Sequence, residues 1–138
     1  MLEPMTSRAI TLETINSTVT DNDIVLLDFW AEWCGPCRQF GPVFERASEA
    51  NPDIVFGKID TEAERQLAAG FGITSIPTLV AFREGMIVYA QPGALGPAQL
   101  DQLIGGVRGL DMEDIRRRMA EQEASEATER ESSASAHS

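Results

Sequence analysis

The clearest pattern in the chain is an apolar run at residues 24–31, IVLLDFWA, in which Asp28 is the only polar residue. A strand with one exposed face alternates apolar and polar residues, whereas a strand covered on both faces is apolar at almost every position. The run therefore predicts the central strand of a sheet, buried on both faces, with a carboxylate inside it.

A helical pattern follows within a few residues. Across residues 35–50 the apolar side chains recur three and four positions apart, and Asn51-Pro52 ends the pattern. The pattern predicts a helix that begins close to the end of the central strand.

The remaining elements alternate between strand and helix. Residues 9–19 predict a short strand and a short helix, and residues 53–60 predict a strand. Thr61 and Glu64 have the spacing of a capping box that opens a helix ending at Gly70. The further predicted elements are a hairpin of strands at 76–82 and 86–91 and a helix from Pro97. The fold class is therefore α/β, a mixed central β-sheet covered by helices on both faces.

Composition separates a domain at residues 1–110 from an acidic extension at residues 111–138. The extension opens with acid-before-base pairs four residues apart, which favour a helix. These pairs are Glu113 with Arg117 and Asp114 with Arg118. From Ser125 onward no large apolar residue occurs, so the extension is predicted to be partly helical and then disordered.

The formal net charge of −11 argues against nucleic acid as a partner, because phosphate backbones are bound by clustered Lys and Arg. No apolar run approaches the roughly 20 residues of a membrane span. The first residues, MLEPMTSRAITL, lack the basic start and apolar stretch of a secretory signal. We therefore expect a cytoplasmic protein with no membrane partner.

The two cysteines, Cys34 and Cys37, are separated only by Gly35 and Pro36. Such a pair can be a disulfide staple, half of a metal site or a redox dithiol. A metal site needs three or four protein ligands, and the chain adds only His137, so no metal is expected. A dithiol suits the position, because a helix N-terminus stabilises the thiolate of Cys34 and Cys37 lies one helical turn on, close enough to resolve a mixed disulfide.

The sequence WCGPC, preceded by DFWAEW, resembles the active-site motif of the thioredoxin family. SIPTL and PGAL are further matches, and the resemblance covers roughly residues 10–107. It implies the thioredoxin fold and a protein-disulfide reductase, in which Cys34 attacks a target disulfide and Cys37 resolves the intermediate.

The resemblance also implies roles for residues around the pair. Asp28 is the buried acid that helps to deprotonate Cys37; the alternative is a carboxylate satisfied by backbone donors. Lys58, the only lysine, is expected near Asp28; the alternative is a plain surface residue. Trp30 either tunes the redox pair or is ordinary core.

Gly35 is expected to leave room for a partner chain, and Pro36 to influence how easily the two sulfurs bond. Trp33 is expected to provide an apolar contact surface beside Cys34. The resemblance implies that Ile76, Pro77 and Gly93 also contact the target, and that the peptide bond before Pro77 is cis.

The expected partners are oxidised target proteins and a thioredoxin reductase, an NADPH-dependent flavoprotein. No cofactor is expected beyond the redox-active Cys34–Cys37 disulfide, and a monomer is expected. Two alternatives remain: a dithiol oxidase or isomerase on the same fold, and a binding module without redox turnover.

Overall fold

The computed structural model describes residues 6–136, which form five strands and five helices. In chain order these are β1 (Ser7–Ala9), α1 (Ile15–Thr20), β2 (Ile24–Trp30), α2 (Gly35–Ala50), β3 (Val55–Asp60), α3 (Arg65–Gly70), β4 (Thr78–Arg83), β5 (Met86–Pro92), α4 (Pro97–Arg108) and α5 (Met112–Ala136).

The five strands form one mixed sheet in the order β1-β3-β2-β4-β5. Strand β3 is parallel to both β1 and β2, whereas β4 is antiparallel to β2 and to β5. The apolar run thus forms the middle strand, and every residue of β2 from Ile24 to Phe29 is buried. The predicted central strand and mixed sheet are confirmed.

Helices cover both faces of the sheet, as the sequence predicted. On one face, α2 and α4 pack their apolar residues on β2, β3 and β4, with Phe40, Phe44 and Leu100 at the centre of the contact. On the other face, Ile15 of α1 and Leu67 of α3 complete a second apolar cluster. Burial of apolar surface on the two sides fixes α2 and α3 against the sheet.

The β4–β5 hairpin turns at Glu84 and Gly85, which both have positive φ values of 52° and 81°. Two consecutive residues of this kind produce the turn that matches the twist of an antiparallel pair. Gly85 accepts the conformation without steric cost because it has no Cβ.

The predicted capping box at α3 is wrong. The hydroxyl of Thr61 donates to the carbonyl of Trp30, and Glu64 accepts the Leu12 backbone N–H at 2.8 Å through its side chain. The turn before α3 is held instead by the Asp60 carboxylate, which accepts the N–H groups of Glu62 and Ala63. Both predicted capping residues are used for contacts to distant segments.

Contacts divide the chain into one unit at Met1–Arg108 and a second at Gly109–Ser138. In the second unit the helix continues to Ala136, farther than its composition predicts, because Ala, Glu, Gln and Arg are strong helix formers and no Gly or Pro interrupts them. Asp114 pairs with Arg118 at 3.0 Å as predicted, but Arg117 also pairs with Asp114 rather than with Glu113. Within residues 6–136 no helix is long and apolar enough to cross a membrane.

Gly57 lies where three strands meet closely. A Cβ there would be 2.5 Å from Cγ1 of Ile10 and 2.9 Å from Cδ2 of Leu27, and both neighbours are buried. We predict that Gly57→Ala lowers the free energy of unfolding by about 1 to 3 kcal/mol, measured by urea denaturation. Gly105→Ala is the control, because nothing lies within 4 Å of its Cβ and alanine favours the helix. Equal effects of the two substitutions would contradict this packing account.

Candidate active site

The two cysteines form a disulfide at the start of α2, with their Cα atoms 5.3 Å apart. Cys34 is the N-cap residue in extended conformation, and Gly35 and Pro36 occupy the first turn. Proline is tolerated there because the first N–H groups of a helix have no partner inside it. The predicted position of the pair is therefore confirmed.

A backbone hydrogen bond distinguishes the two sulfurs. The N–H of Cys37 donates to Sγ of Cys34 at 3.2 Å, so the sulfur of Cys34 takes the place of a capping oxygen. Each cysteine residue is only 4% exposed, so burial does not distinguish them. A donor at the helix N-terminus stabilises negative charge on the sulfur that it contacts.

The loop before Cys34 is tied to the first turn of α2. The N–H of Cys34 donates to the carbonyl of Ala31 at 3.2 Å, and Nε of Arg38 donates to the carbonyl of Glu32 at 2.9 Å. Arg38 directly follows the WCGPC motif. Its bond to the loop depends on how the chain folds back and has no signal in residue spacing.

The loop before β4 lies against the disulfide. The Ile76–Pro77 peptide bond is cis, as predicted, and Sγ of Cys34 is 3.8 Å from the carbonyl oxygen of Ile76. Gly93 has a φ of 114° and donates its N–H to the carbonyl of Pro77 at 2.8 Å. The structure thus brings Ile76, Pro77 and Gly93 together beside Cys34.

Asp28 is fully buried in β2, and within residues 6–136 neither of its carboxylate oxygens has a hydrogen-bond partner. The alternative of a carboxylate satisfied by backbone donors is therefore wrong. Desolvation raises the pKa of Asp28 from 3.8 to about 7, and the positive charge of Lys58 opposes part of that rise. A carboxyl group with this pKa exchanges its proton near neutral pH.

Lys58 is directly opposite Asp28 in the parallel β2–β3 register. Its Nζ lies 4.8 Å from the centroid of the Trp30 ring, a cation–π contact. Both residues line a cavity of about 370 Å³ that also reaches Cys37. Lys58 is half-buried and oriented by the site, which argues against a plain surface residue.

Trp33 is 67% exposed, yet its ring is anchored. Nε1 of the indole donates to the Glu62 carboxylate at 3.0 Å, and Glu62 also pairs with Arg65 at 3.2 Å. Trp33 and Ile76 line a cavity of about 330 Å³, which lies beside the disulfide because the Ile76 carbonyl oxygen is 3.8 Å from Sγ of Cys34. The sequence predicted Trp33 as a contact surface but not Glu62, because an acid in an exposed loop is common in an acidic chain.

No group of three or more potential metal-ligating side chains occurs within the part of the chain that the structure describes. His137 lies outside the described residues. The cysteine pair lies at a helix N-terminus beside a cis-proline loop, and the strand before it carries a buried carboxyl group. These features define a dithiol–disulfide oxidoreductase built on the thioredoxin fold.

Comparisons with known proteins agree with this class. The thioredoxin family model matches residues 7–106, and the chain belongs to the thioredoxin family. It is 62% identical over 115 residues to "Putative thioredoxin 2" of Streptomyces coelicolor, covering 83% of this chain and 86% of that protein. It is 40% identical to thioredoxin C-3 of Corynebacterium nephridii, over 73% of this chain and 70% of the relative.

A solved structure of similar fold is that of a single-site mutant of thioredoxin from Halobacterium salinarum NRC-1. The TM-score is 0.71 at 32% identity, covering 80% of this chain and 98% of that one. The chain is therefore a protein-disulfide oxidoreductase that works by dithiol–disulfide exchange. Its family acts on oxidised protein targets and is reduced in turn by a reductase.

The buried carboxyl group gives stability a defined pH dependence. Asp28 has a folded-state pKa near 7 against 3.8 for the ordinary group, so the folded protein keeps a proton that the unfolded chain releases between these values. The free energy of unfolding therefore falls as the pH rises from about 4 to 7, by up to about 4 kcal/mol.

We predict that Asp28→Asn removes this cost. The difference in free energy of unfolding between variant and wild type should shift in favour of the variant from pH 4 to pH 8, by up to about 4 kcal/mol. Urea denaturation of the oxidised proteins across that range measures it. A difference that stays constant with pH would mean that Asp28 does not titrate in this window.

Proposed function

We propose that Cys34 is the attacking thiolate and Cys37 the resolving thiol in the reduction of target disulfides. The observation that supports this order is the Cys37 N–H donated to Sγ of Cys34 at the helix N-terminus. The donor favours the charged form of that sulfur, and the thiolate is the nucleophile in disulfide exchange.

In the first step, the Cys34 thiolate attacks one sulfur of the target disulfide. The bond from Cys34 to that sulfur forms as the target's own S–S bond breaks, and the departing sulfur takes up a proton. In the second step, deprotonated Cys37 attacks Sγ of Cys34 and releases the second target thiol. Two electrons pass to the target, and the Cys34–Cys37 disulfide remains.

Asp28 accepts the proton of Cys37 in this scheme. Its pKa of about 7 matches a base that works near neutral pH. We place a water relay between the two groups. The positive charge of Lys58 opposes the rise in the pKa of Asp28, so that the ionised carboxylate is populated near neutral pH. Trp30 positions the Lys58 ammonium group through the cation–π contact.

The target docks beside the disulfide. Trp33 and Ile76 provide the apolar contact, since both line the cavity next to Cys34. The Ile76 backbone pairs with an extended target segment, as in strand addition. Pro77 and Gly93 shape the approach for that segment, and the exposed Gly35 and Pro36 leave room over the sulfurs.

An NADPH-dependent flavoprotein reductase recycles the disulfide in this proposal. We place the protein in the cytoplasm as a monomer with no bound cofactor. Residues 1–110 perform the exchange, and residues 111–138 form an acidic extension that the chemistry does not need.

Cys37→Ser tests the two-thiol order, because it removes the resolving thiol and leaves the attacking one. We predict that the variant loses turnover of insulin disulfides with dithiothreitol as electron donor. When the prereduced variant is mixed with insulin after dithiothreitol has been removed, it accumulates a mixed disulfide on Cys34, detected by mass spectrometry.

Cys34→Ser is the matched control, and it should lose turnover without trapping the target. A mixed disulfide on Cys37 in that control, formed as fast as the one on Cys34, would contradict the order. Full turnover by the Cys34→Ser, Cys37→Ser double variant would overturn the redox function itself.

A further inference from the structure

A third cavity borders the loop at residues 72–75. This trough, of about 190 Å³, is lined by residues 71–75 on one side and by strands β4 and β5 on the other. Its strand residues are Thr78, Val80, Ile87, Ala90 and Pro92. Ile87 is 54% exposed, an unusual position for a large aliphatic side chain in an edge strand.

The trough adjoins the cavity beside the disulfide. Ile73, Thr74 and Ser75 line both cavities, so the two border the same loop. Thr78 is paired with Pro92 in the β4–β5 register, which places that end of the trough next to Pro77 and Gly93. From there β5 runs away from the disulfide to Ile87, a distance of about 15 Å at strand spacing.

The lining of both cavities is free of charge. None of the described residues that line them is Asp, Glu, Lys or Arg, although 24% of the chain is charged and the net charge is −11. The cavity beside Cys37, in contrast, contains Glu32, Arg38, Glu45 and Lys58. A neutral apolar strip on an acidic surface favours an apolar, uncharged partner segment.

We propose that the trough binds the polypeptide of the oxidised target itself, about five residues from the cysteine that Cys34 attacks. An extended segment that pairs with Ile76 would span the distance to Ile87 in that number of residues. Pro92 offers no N–H, so this end of β5 cannot extend the ladder and the contact is made through apolar side chains. Protein substrates with apolar, uncharged residues at that distance are favoured over small disulfides.

The inference rests on the proposed function and is tested by a ratio of rates. The specificity constant kcat/KM is measured with dithiothreitol as electron donor for insulin and for glutathione disulfide, which is too short to reach Ile87. Ile87→Glu should lower the ratio of the insulin value to the glutathione disulfide value by about three- to ten-fold, because it buries a charge or loses an apolar contact.

Met119→Glu is the matched control, since Met119 is an exposed apolar residue of similar exposure, 44%, on α5. It should leave the ratio at the wild-type value. Ala90→Glu introduces the same charge at another exposed position of the trough, so the proposal stays testable if Ile87→Glu does not fold. Thermal melting of each variant confirms folding.

A ratio unchanged in both trough variants would overturn the inference while leaving the proposed function intact. An equal fall for both substrates would also overturn it, because the effect would then lie at the disulfide. A concentration-dependent dimer that Ile87→Glu abolishes would assign the trough to a second copy of the chain instead. Failure of the wild type to reduce either disulfide would reject the proposed function and not this inference alone.

Discussion

The position of Cys34 and Cys37 depends on the burial of β2. The strand is hydrogen-bonded to neighbours on both edges and covered on both faces, so its last residues have a fixed position and direction. Helix α2 begins a few residues later and packs Phe40 and Phe44 on the same sheet. The loop between them is therefore held at both ends, and Cys34 is placed at the helix N-terminus.

The same burial gives the site its acid–base character. Asp28 lies in a strand that is buried from Ile24 to Phe29, and it has no hydrogen-bond partner among the described residues. Desolvation is the larger influence on its pKa, and Lys58 in the adjacent strand is the smaller one. A buried carboxyl group with a raised pKa lowers the free energy of unfolding at neutral pH. Groups that destabilise the fold in this way are typical of functional sites.

Much of this arrangement was predictable from the sequence because it depends on local patterns. The apolar run, the helical spacing after it and the close cysteine pair predicted β2, α2 and the redox site. Contacts between distant segments were not predictable. Thr61 and Glu64 have the spacing of a helix cap but bond to Trp30 and Leu12 instead.

Glu62, which anchors Trp33, and the trough at Ile87 likewise exist only once strands and loops are brought together. The length of α5 was underestimated for another reason, since composition measures the lack of a core and not the helix propensity of each residue. The sequence thus predicts the chemistry well and the surface around it poorly.

The central claim is that the helix N-terminus makes Cys34, and not Cys37, the reactive sulfur, although both are equally buried. The most direct test is the rate of alkylation of each cysteine in the reduced protein. Iodoacetamide at pH 7, quenched at short times and analysed by peptide mass spectrometry, gives both rates. The account predicts that Cys34 is alkylated at least about ten times faster than Cys37. Equal rates, or faster alkylation of Cys37, would contradict it.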